Sequence, residues 1–273
     1  MSRVLDNTAV ELLGGGRYQV TVDRGWWIVN GPNGGYVAAL MGRAIEAEVD
    51  HGAAAETAKT LHSMTLNYLR PPTEGAATIE VVIERRGRSV VTVTARMFQN
   101  DSLMVVGTAA VAGHRDTAEF NEVVAPEAAL PEDLPAPVRP ADSLVIPMSE
   151  RYEMRPCLGS AAGAGVFSGD SKPAVTGGWI RFAEPTPIDA VALAALTDAW
   201  FPPIMHKFPG APMAVPTVDL AVHVRQLPAD PLDWVLARFT SPLAVGGYLI
   251  EDGEIWDRHG NQLAVSRQMA VLI

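Results

Sequence analysis

The sequence predicts an α+β fold made of two fused copies of one module, each an antiparallel sheet wrapped around a central helix. Three observations predict it. Each half of the chain carries one largely buried helix followed by four strand-like runs, the two halves match in the order of their elements, and a Pro-rich acidic stretch separates them. At 273 residues the chain is long enough for two domains of ordinary size.

In the first half, Arg17–Val22 alternates as a strand. Asn30-Gly-Pro-Asn-Gly-Gly35 then forms a loop that opens a helix, with Asn33 as its cap and an end near Val49. The strand-like runs follow as Leu61–Leu69, Ala77–Arg85, Ser89–Gln99 and Leu103–Ala112, the last entered through a tight turn at Asn100-Asp-Ser102. From about Asp116 to Asp142 five prolines punctuate an acidic stretch without periodicity, which predicts an extended surface linker. The expected organisation is therefore a module over 1–115, a linker over 116–142 and a module over 143–273.

In the second half, Tyr152–Phe167 and Gly178–Phe182 read as strands. The central helix of this half is predicted over Ala190–Trp200, with Thr186 as N-cap, Pro187 at its first position, Asp189 as a capping-box partner and Pro202-Pro203 as the stop. Only Thr197 and Asp198 are polar along it, so no solvent face can be drawn and the helix should be buried. Asp198 is the anomaly, a carboxylate at the C-terminal end of a buried helix, where dipole and desolvation both oppose its charge. The runs Thr217–Gln226, Trp234–Pro242, Val245–Asp252 and Gln262–Leu272 follow, with turns expected at Glu251-Asp-Gly253 and His259-Gly-Asn261.

Laying the halves on one another places Ala38-Ala-Leu40 on Ala194-Ala-Leu196 and Gly42 on Asp198. It also places His62–Arg70 on Thr217–Arg225 and Leu103–Thr108 on Leu263–Gln268. Asp198, Thr217 and Gln268 then correspond to Gly42, His62 and Thr108, so one half alone has the carboxylate. A carboxylate, a hydroxyl and an amide on three elements can hold and activate a water, the ionised Asp taking its proton. Each also has a structural use: Asp198 can bond backbone amides, and Thr217 and Gln268 can serve the sheet. Gly34 and Gly35 offer backbone N–H groups at a helix N-terminus for an oxyanion or substrate carbonyl, or else let the helix cross closely over a strand. Arg70, Arg225 and the run Arg85-Arg-Gly-Arg88 are the basic candidates for a phosphorylated ligand.

The bulk numbers narrow the field. A net charge of −10 argues against nucleic-acid binding, so an anionic ligand must be met by local arginines. The composition, 48% hydrophobic and 19% charged, is that of a globular protein, and no apolar run is long enough to insert into a membrane. Cys157 is the lone cysteine and no signal-peptide core is visible, so a cytoplasmic location is expected. The six histidines show no metal spacing, and neither a P-loop nor a nucleophile elbow is present, so no cofactor and no metal are expected.

Several segments resemble the bacterial acyl-CoA thioesterase II-like family, whose fold is a double hotdog. Asn33-Gly-Gly-Tyr-Val-Ala-Ala-Leu40 is similar to its helix start, His62-Ser-Met-Thr-Leu-Asn-Tyr-Leu-Arg-Pro71 to its His-Ser strand, and Arg86-Gly-Arg-Ser89 to its Arg-x-Gly-x-Ser segment. Leu196-Thr-Asp-Ala199 resembles the helix carrying the family's aspartate, Thr217-Val-Asp219 its Thr-Ile-Asp segment, and Gln268 lies where its closing strand has a glutamine. After Asp219 the chain departs from the family's usual continuation, as it does after Asp198, in the manner of a divergent actinobacterial-type branch. The resemblance implies that Asp198, Thr217 and Gln268 activate the water that hydrolyses a fatty acyl-CoA to free acid and CoA. Gly34 and Gly35 are the expected carbonyl contacts, and His62, Arg70, Arg88 and Arg225 the expected substrate contacts. A non-catalytic acyl-CoA- or lipid-binding hotdog protein is the alternative. A dehydratase or hydratase lacks the His–Asp pair it would want, and a purely structural role leaves Asp198 unexplained. Fused modules of this kind bury exposed sheet edges in oligomers, so a homodimer or higher homo-oligomer is expected.

Overall fold

The computed structural model describes residues 2–51, 59–137, 145–159, 173–208 and 214–273. Among them, twelve strands join in one antiparallel sheet. Helix α1 (Arg3–Asn7) precedes β1 (Glu11–Gly14) and β2 (Arg17–Val22), and the long helix α2 (Gly34–Asp50) follows. Strands β3 (Thr60–Tyr68), β4 (Gly75–Arg86), β5 (Val90–Gln99) and β6 (Ser102–Ala112) complete the first half. The second half has β7 (Tyr152–Gly159), β8 (Val175–Phe182), helix α3 (Ala190–Leu196), β9 (Thr217–Val224), β10 (Val235–Val245), β11 (Tyr248–Trp256) and β12 (Gln262–Val271). The order across the sheet is β1-β2-β4-β5-β6-β3-β9-β12-β11-β10-β8-β7. This is the double hotdog, each half of the sheet curling around one helix, with the halves sewn together where β3 pairs with β9 from Ser63↔His223 to Asn67↔Asp219.

Strict alternation builds the sheet. In β2 and β5 every second residue is buried, so one face packs on the helices and the other faces outward. The two helices pack antiparallel through small residues. A Cβ on Gly35 would lie 2.3 Å from the Ala195 carbonyl oxygen, and one on Gly42 would lie 3.2 Å from both methyls of Val191. The seam is closed by a bidentate ion pair from Arg43 to Asp189, at 2.7 and 3.1 Å. The linker also has a packing role. Ala125, Ala128 and Leu134 cover an outward-facing cluster of Trp179, Trp234, Leu236 and Trp256. It is pinned by the Trp179 indole N–H donating to the Ala129 carbonyl (2.7 Å) and by Arg258 to Glu132 (3.0 Å).

Three local expectations need correction. The N-cap of α3 is Asp189, which accepts from the Ala192 N–H at 2.8 Å, while the Thr186 hydroxyl bonds Ser2 and the Glu184 carbonyl instead. A carboxylate three residues before the acceptor-starved amide outcompetes a hydroxyl farther away. The helix is also shorter than predicted and ends at Leu196, so Asp198 lies in the turn beyond it. Finally, Glu251-Asp-Gly253 is not a turn. It lies inside β11, and the chain reverses at Gly246-Gly247, whose φ values of 61° and 82° are those a tight hairpin turn demands. The strand expected over Tyr152–Phe167 is present to Gly159, and its remainder falls outside the described residues.

Candidate active site

Asp198 follows α3 but faces the N-terminus of α2, which reverses the electrostatic expectation. Its Oδ2 accepts from the Gly35 N–H (2.8 Å) and from Asn33 Nδ2 (3.0 Å), and Asn33 Nδ2 also reaches the Asp198 carbonyl (2.7 Å). The dipole of α2 and its free amides therefore favour the carboxylate rather than oppose it. Gly35 is needed because the helix starts against the Ala195 backbone, where no side chain fits. The N–H expected to await a substrate carbonyl is thus turned on the acid itself.

Asp198 Oδ1 accepts from Gln268 Nε2 at 3.1 Å, and Gln268 Oε1 accepts from the Thr217 hydroxyl at 2.8 Å. Strand β9 supplies Thr217 at its first residue, and β12 supplies the buried Gln268 one strand away. The three residues singled out in the sequence are joined in one hydrogen-bonded chain. Burial pushes the Asp198 carboxyl up to about 6, against the hydrogen bonds from Gly35, Gln268, Asn33 and Gly34 that favour its ionised form.

Sequence reasoning missed a second acid. Glu251 is 5% exposed, and its Oε1 accepts from Gln268 Nε2 at 2.8 Å across the β11–β12 pair Glu251↔Gln268. Burial and then the Asp198 charge lift it to about 8. Its signal was present but hidden: Leu249, Glu251, Gly253 and Ile255 form the buried face of an alternating strand, once Glu251-Asp-Gly is not taken for a turn. Two tyrosines complete the surroundings. The Tyr68 hydroxyl donates to the Gly34 carbonyl at 2.8 Å, and that of Tyr152 is buried without a hydrogen-bond partner among the described residues. Burial and the Asp198 charge raise the pKa of both.

The halves relate to each other with a register one residue away from that expected. The N–H groups of Leu69 and Arg70 both reach the Met104 carbonyl, and those of Arg225 and Gln226 both reach the Leu263 carbonyl. Leu69 therefore falls on Arg225 and Met104 on Leu263, which places Thr217 on Leu61 and Gln268 on Ala109, not on His62 and Thr108. A slip of one residue turns every side chain to the other face, and Thr108 is indeed exposed while Ala109 and Leu61 are buried. Gly42 does match Asp198. Its neighbour Val191 matches Gly35, so the contact of Asp198 on Gly35 is mirrored by Val191 on Gly42. The mirror position is thus lined by apolar side chains: Val191, Leu61 and Ala109.

The same register sorts the basic candidates. Pairing of Asn67 with Asp219 brings the end of β3 beside the start of β9, so the exposed Arg70 lies at the Thr217 end, its Nη1 on the Leu103 carbonyl at 3.0 Å. His62 and Arg225 lie at the opposite end, as Ser63↔His223 requires. Arg88, in the turn before β5, joins them, since Val90 and Thr60 both pair with Ala112. The structure does not bring these three to Asp198.

A family model described as the acyl-CoA thioesterase C-terminal domain matches residues 127–272, and one described as the acyl-CoA thioesterase N-terminal domain matches residues 23–112. The chain belongs to the acyl-CoA thioesterase family. Among solved structures, this thioesterase-family chain is similar to a conserved protein of unknown function with a hot dog fold from Alicyclobacillus acidocaldarius. The two are 28% identical with a TM-score of 0.86, over 100% of this chain and 98% of that one. A protein from Thermobifida fusca, named as a candidate thioesterase II, is 27% identical with a TM-score of 0.81, over 100% and 98% of the two chains. An acyl-CoA thioesterase II from Mycobacterium marinum shares the fold at 19% identity, with a TM-score of 0.77 over 100% and 97%. No curated protein matches the chain. No helix among the described residues is long and apolar enough to cross a membrane.

Proposed function

We propose that the protein hydrolyses the thioester of a fatty acyl-CoA to the free acid and CoA, with Asp198 as general base, Thr217 holding the water and Gln268 orienting Thr217. The observation that carries this reading is the Thr217–Gln268–Asp198 chain of hydrogen bonds, present in one half of the molecule and replaced by apolar side chains in the other. The chain has a direction. Gln268 Nε2 donates to Asp198, so its Oε1 must take the Thr217 proton, and the Thr217 oxygen is left with lone pairs only. A water between Thr217 Oγ1 and Asp198 Oδ1 would give one hydrogen to each and aim its own lone pair outward. Asp198 takes the proton as the water oxygen bonds to the thioester carbon. Collapse of the tetrahedral intermediate breaks the C–S bond, and the same proton passes to the leaving sulfur, regenerating the carboxylate. Gly34 and Gly35 act first by holding Asp198, and Arg70, exposed at the Thr217 end, is the cation assigned to the phosphates of CoA in this reading.

Release of free thiol from a panel of short to long acyl-CoAs tests the reading. Asp198→Ala is expected to lower turnover by on the order of a hundredfold or more, and a loss of only a few-fold sinks the assignment of the base. One observation favours the alternative of an acyl-CoA- or lipid-binding protein: the carboxylate already has three donors of its own. Saturable acyl-CoA binding by the parent protein without thiol release would decide for it.

A further inference from the structure

We infer that Glu251 is a positioning residue of the site: it fixes the amide of Gln268 so that Nε2 faces Asp198 and Oε1 faces Thr217. The inference rests on the hydrolytic reading above for its kinetic consequence, though not for its geometry. A glutamine amide has two donors on nitrogen and acceptor capacity on oxygen, and a half-turn about its last bond exchanges them. For the water to be held as proposed, the Thr217 proton must point at Gln268, and so the oxygen of the amide must face Thr217.

The Thr217 side does not force that choice. A hydroxyl accepts as readily as it donates, so Thr217 tolerates either face of the amide. Asp198 Oδ1 prefers the nitrogen, since Asn33 and Gly35 both donate to Oδ2, but its contact with Nε2 is the longer of that nitrogen's two, at 3.1 Å. Glu251 adds a second and closer acceptor for the nitrogen. Its Oε1 lies 2.8 Å from Gln268 Nε2, while Asp198 Oδ1 lies 3.1 Å from the same nitrogen, so both amide hydrogens have acceptors on either side. Turned over, the amide would set its oxygen against the Asp198 carboxylate, and Glu251 could meet it only by turning an acid hydrogen onto it, in a site where both Glu251 and Gln268 are buried. An orphaned donor or opposed acceptors there cost a good fraction of a buried hydrogen bond. Strand register makes the grip rigid, since Glu251 and Gln268 are directly paired on β11 and β12. Among the described residues, nothing else asks for an acid at this place. Its strand neighbours on the same face, Leu249, Gly253 and Ile255, are apolar or without a side chain, and no cation reaches Glu251 among the described residues.

Two variants and two measurements test this. Glu251→Leu keeps the volume and removes the acceptor, whereas Glu251→Gln keeps an oxygen that can accept from Gln268. Neutron crystal structures of both, which tell amide nitrogen from oxygen, are expected to show the Gln268 amide displaced or turned over in Glu251→Leu and retained in Glu251→Gln. In acyl-CoA hydrolysis, Glu251→Leu is expected to lower kcat by roughly ten- to a hundredfold, as a misplaced reacting group does, with KM changed by less than about threefold. Glu251→Gln is expected to rescue most of that loss. A Gln268 amide still bonded to both Asp198 and Thr217 in Glu251→Leu overturns the inference, and so does an equal kcat in the two variants. If the parent protein hydrolyses no acyl-CoA, the hydrolytic reading falls, and the orientation of the amide in the two crystal structures still decides the role of Glu251.

Discussion

At the scale of residues, Asp198 and Glu251 are kept in a low-dielectric site where ionisation is resisted, Asp198 at about 6 and Glu251 at about 8. Glu46, half-buried near the Arg43–Asp189 pair, is likewise lifted to about 7 by desolvation. A carboxyl whose pKa is higher in the folded than in the unfolded chain binds its proton more tightly when folded. Its stability contribution is complete below the unfolded value and is lost as pH rises through the folded one. Thermal unfolding followed from about pH 5 to about pH 9 is therefore expected to show Tm falling as these three groups ionise. Asp198→Asn, which cannot ionise, is expected to raise Tm at about pH 8 by a few degrees, on the scale of ~2–4 °C per kcal/mol, and to give no such gain at about pH 4. A lower Tm for Asp198→Asn at pH 8 would show that the donors around Asp198 outweigh its burial. The same group sets the rate profile. A base must be ionised, so kcat/KM is expected to climb with pH and level off above about 6, the value burial gives Asp198, and a profile flat across that range counts against Asp198 as the base.

At the scale of elements, the packing of α2 on α3 uses one kind of seam for two ends. Gly35 admits the Ala195 backbone and, beside it, the Asp198 carboxylate, while Gly42 admits Val191. Gly35→Ala is expected to lower both Tm and turnover, because the helices must part where Asp198 is held. Gly42→Leu is expected to cost ~1–3 kcal/mol by overpacking and to leave kcat of the folded protein within a few-fold. Adding Val191→Ala to Gly42→Leu should return most of that stability, and chemical denaturation of the three variants measures it. Failure of the second substitution to recover any stability would mean that Gly42 is constrained by something other than Val191. This seam also shows what the sequence can and cannot disclose. The small residues, the Asn33 cap and the alternating strands are local signals, and they are visible in the chain as Gly34–Asp50, Thr60–Tyr68 and the other runs. Pairing is not local. The one-residue slip that laid Thr217 on His62 is invisible without the shared hydrogen bonds to Met104 and Leu263, and it misassigned the face of every strand residue compared. Glu251 was lost for a related reason, since Glu-Asp-Gly carries turn chemistry that the hairpin at Gly246-Gly247 overrides.

At the scale of the whole molecule, two near-copies of a module pack about a pseudo-twofold axis through the β3–β9 pair, and every feature near one end has a counterpart at the other. Such symmetry makes the ends comparable within one chain. One end has Asp198, Thr217, Gln268 and Glu251, and the other has Gly42 with Val191, Leu61 and Ala109 in the matching places. Arg70 stands at the first end, and His62, Arg88 and Arg225 stand at the second. If a phosphorylated ligand enters where the acids are, removal of these side chains must have unequal effects. Arg70→Ala is expected to raise KM for acyl-CoA by about three- to tenfold, the range for an exposed cation on a phosphate, with kcat nearly constant and the effect shrinking as salt is added. Arg225→Ala and Arg88→Ala, at the apolar end, are expected to leave KM within about twofold. The outcome that defeats this is the reverse ordering, with Arg225→Ala or Arg88→Ala raising KM and Arg70→Ala silent. CoA would then approach from the end that lacks the carboxylates, and the path from phosphate to thioester would have to run the length of the β3–β9 seam.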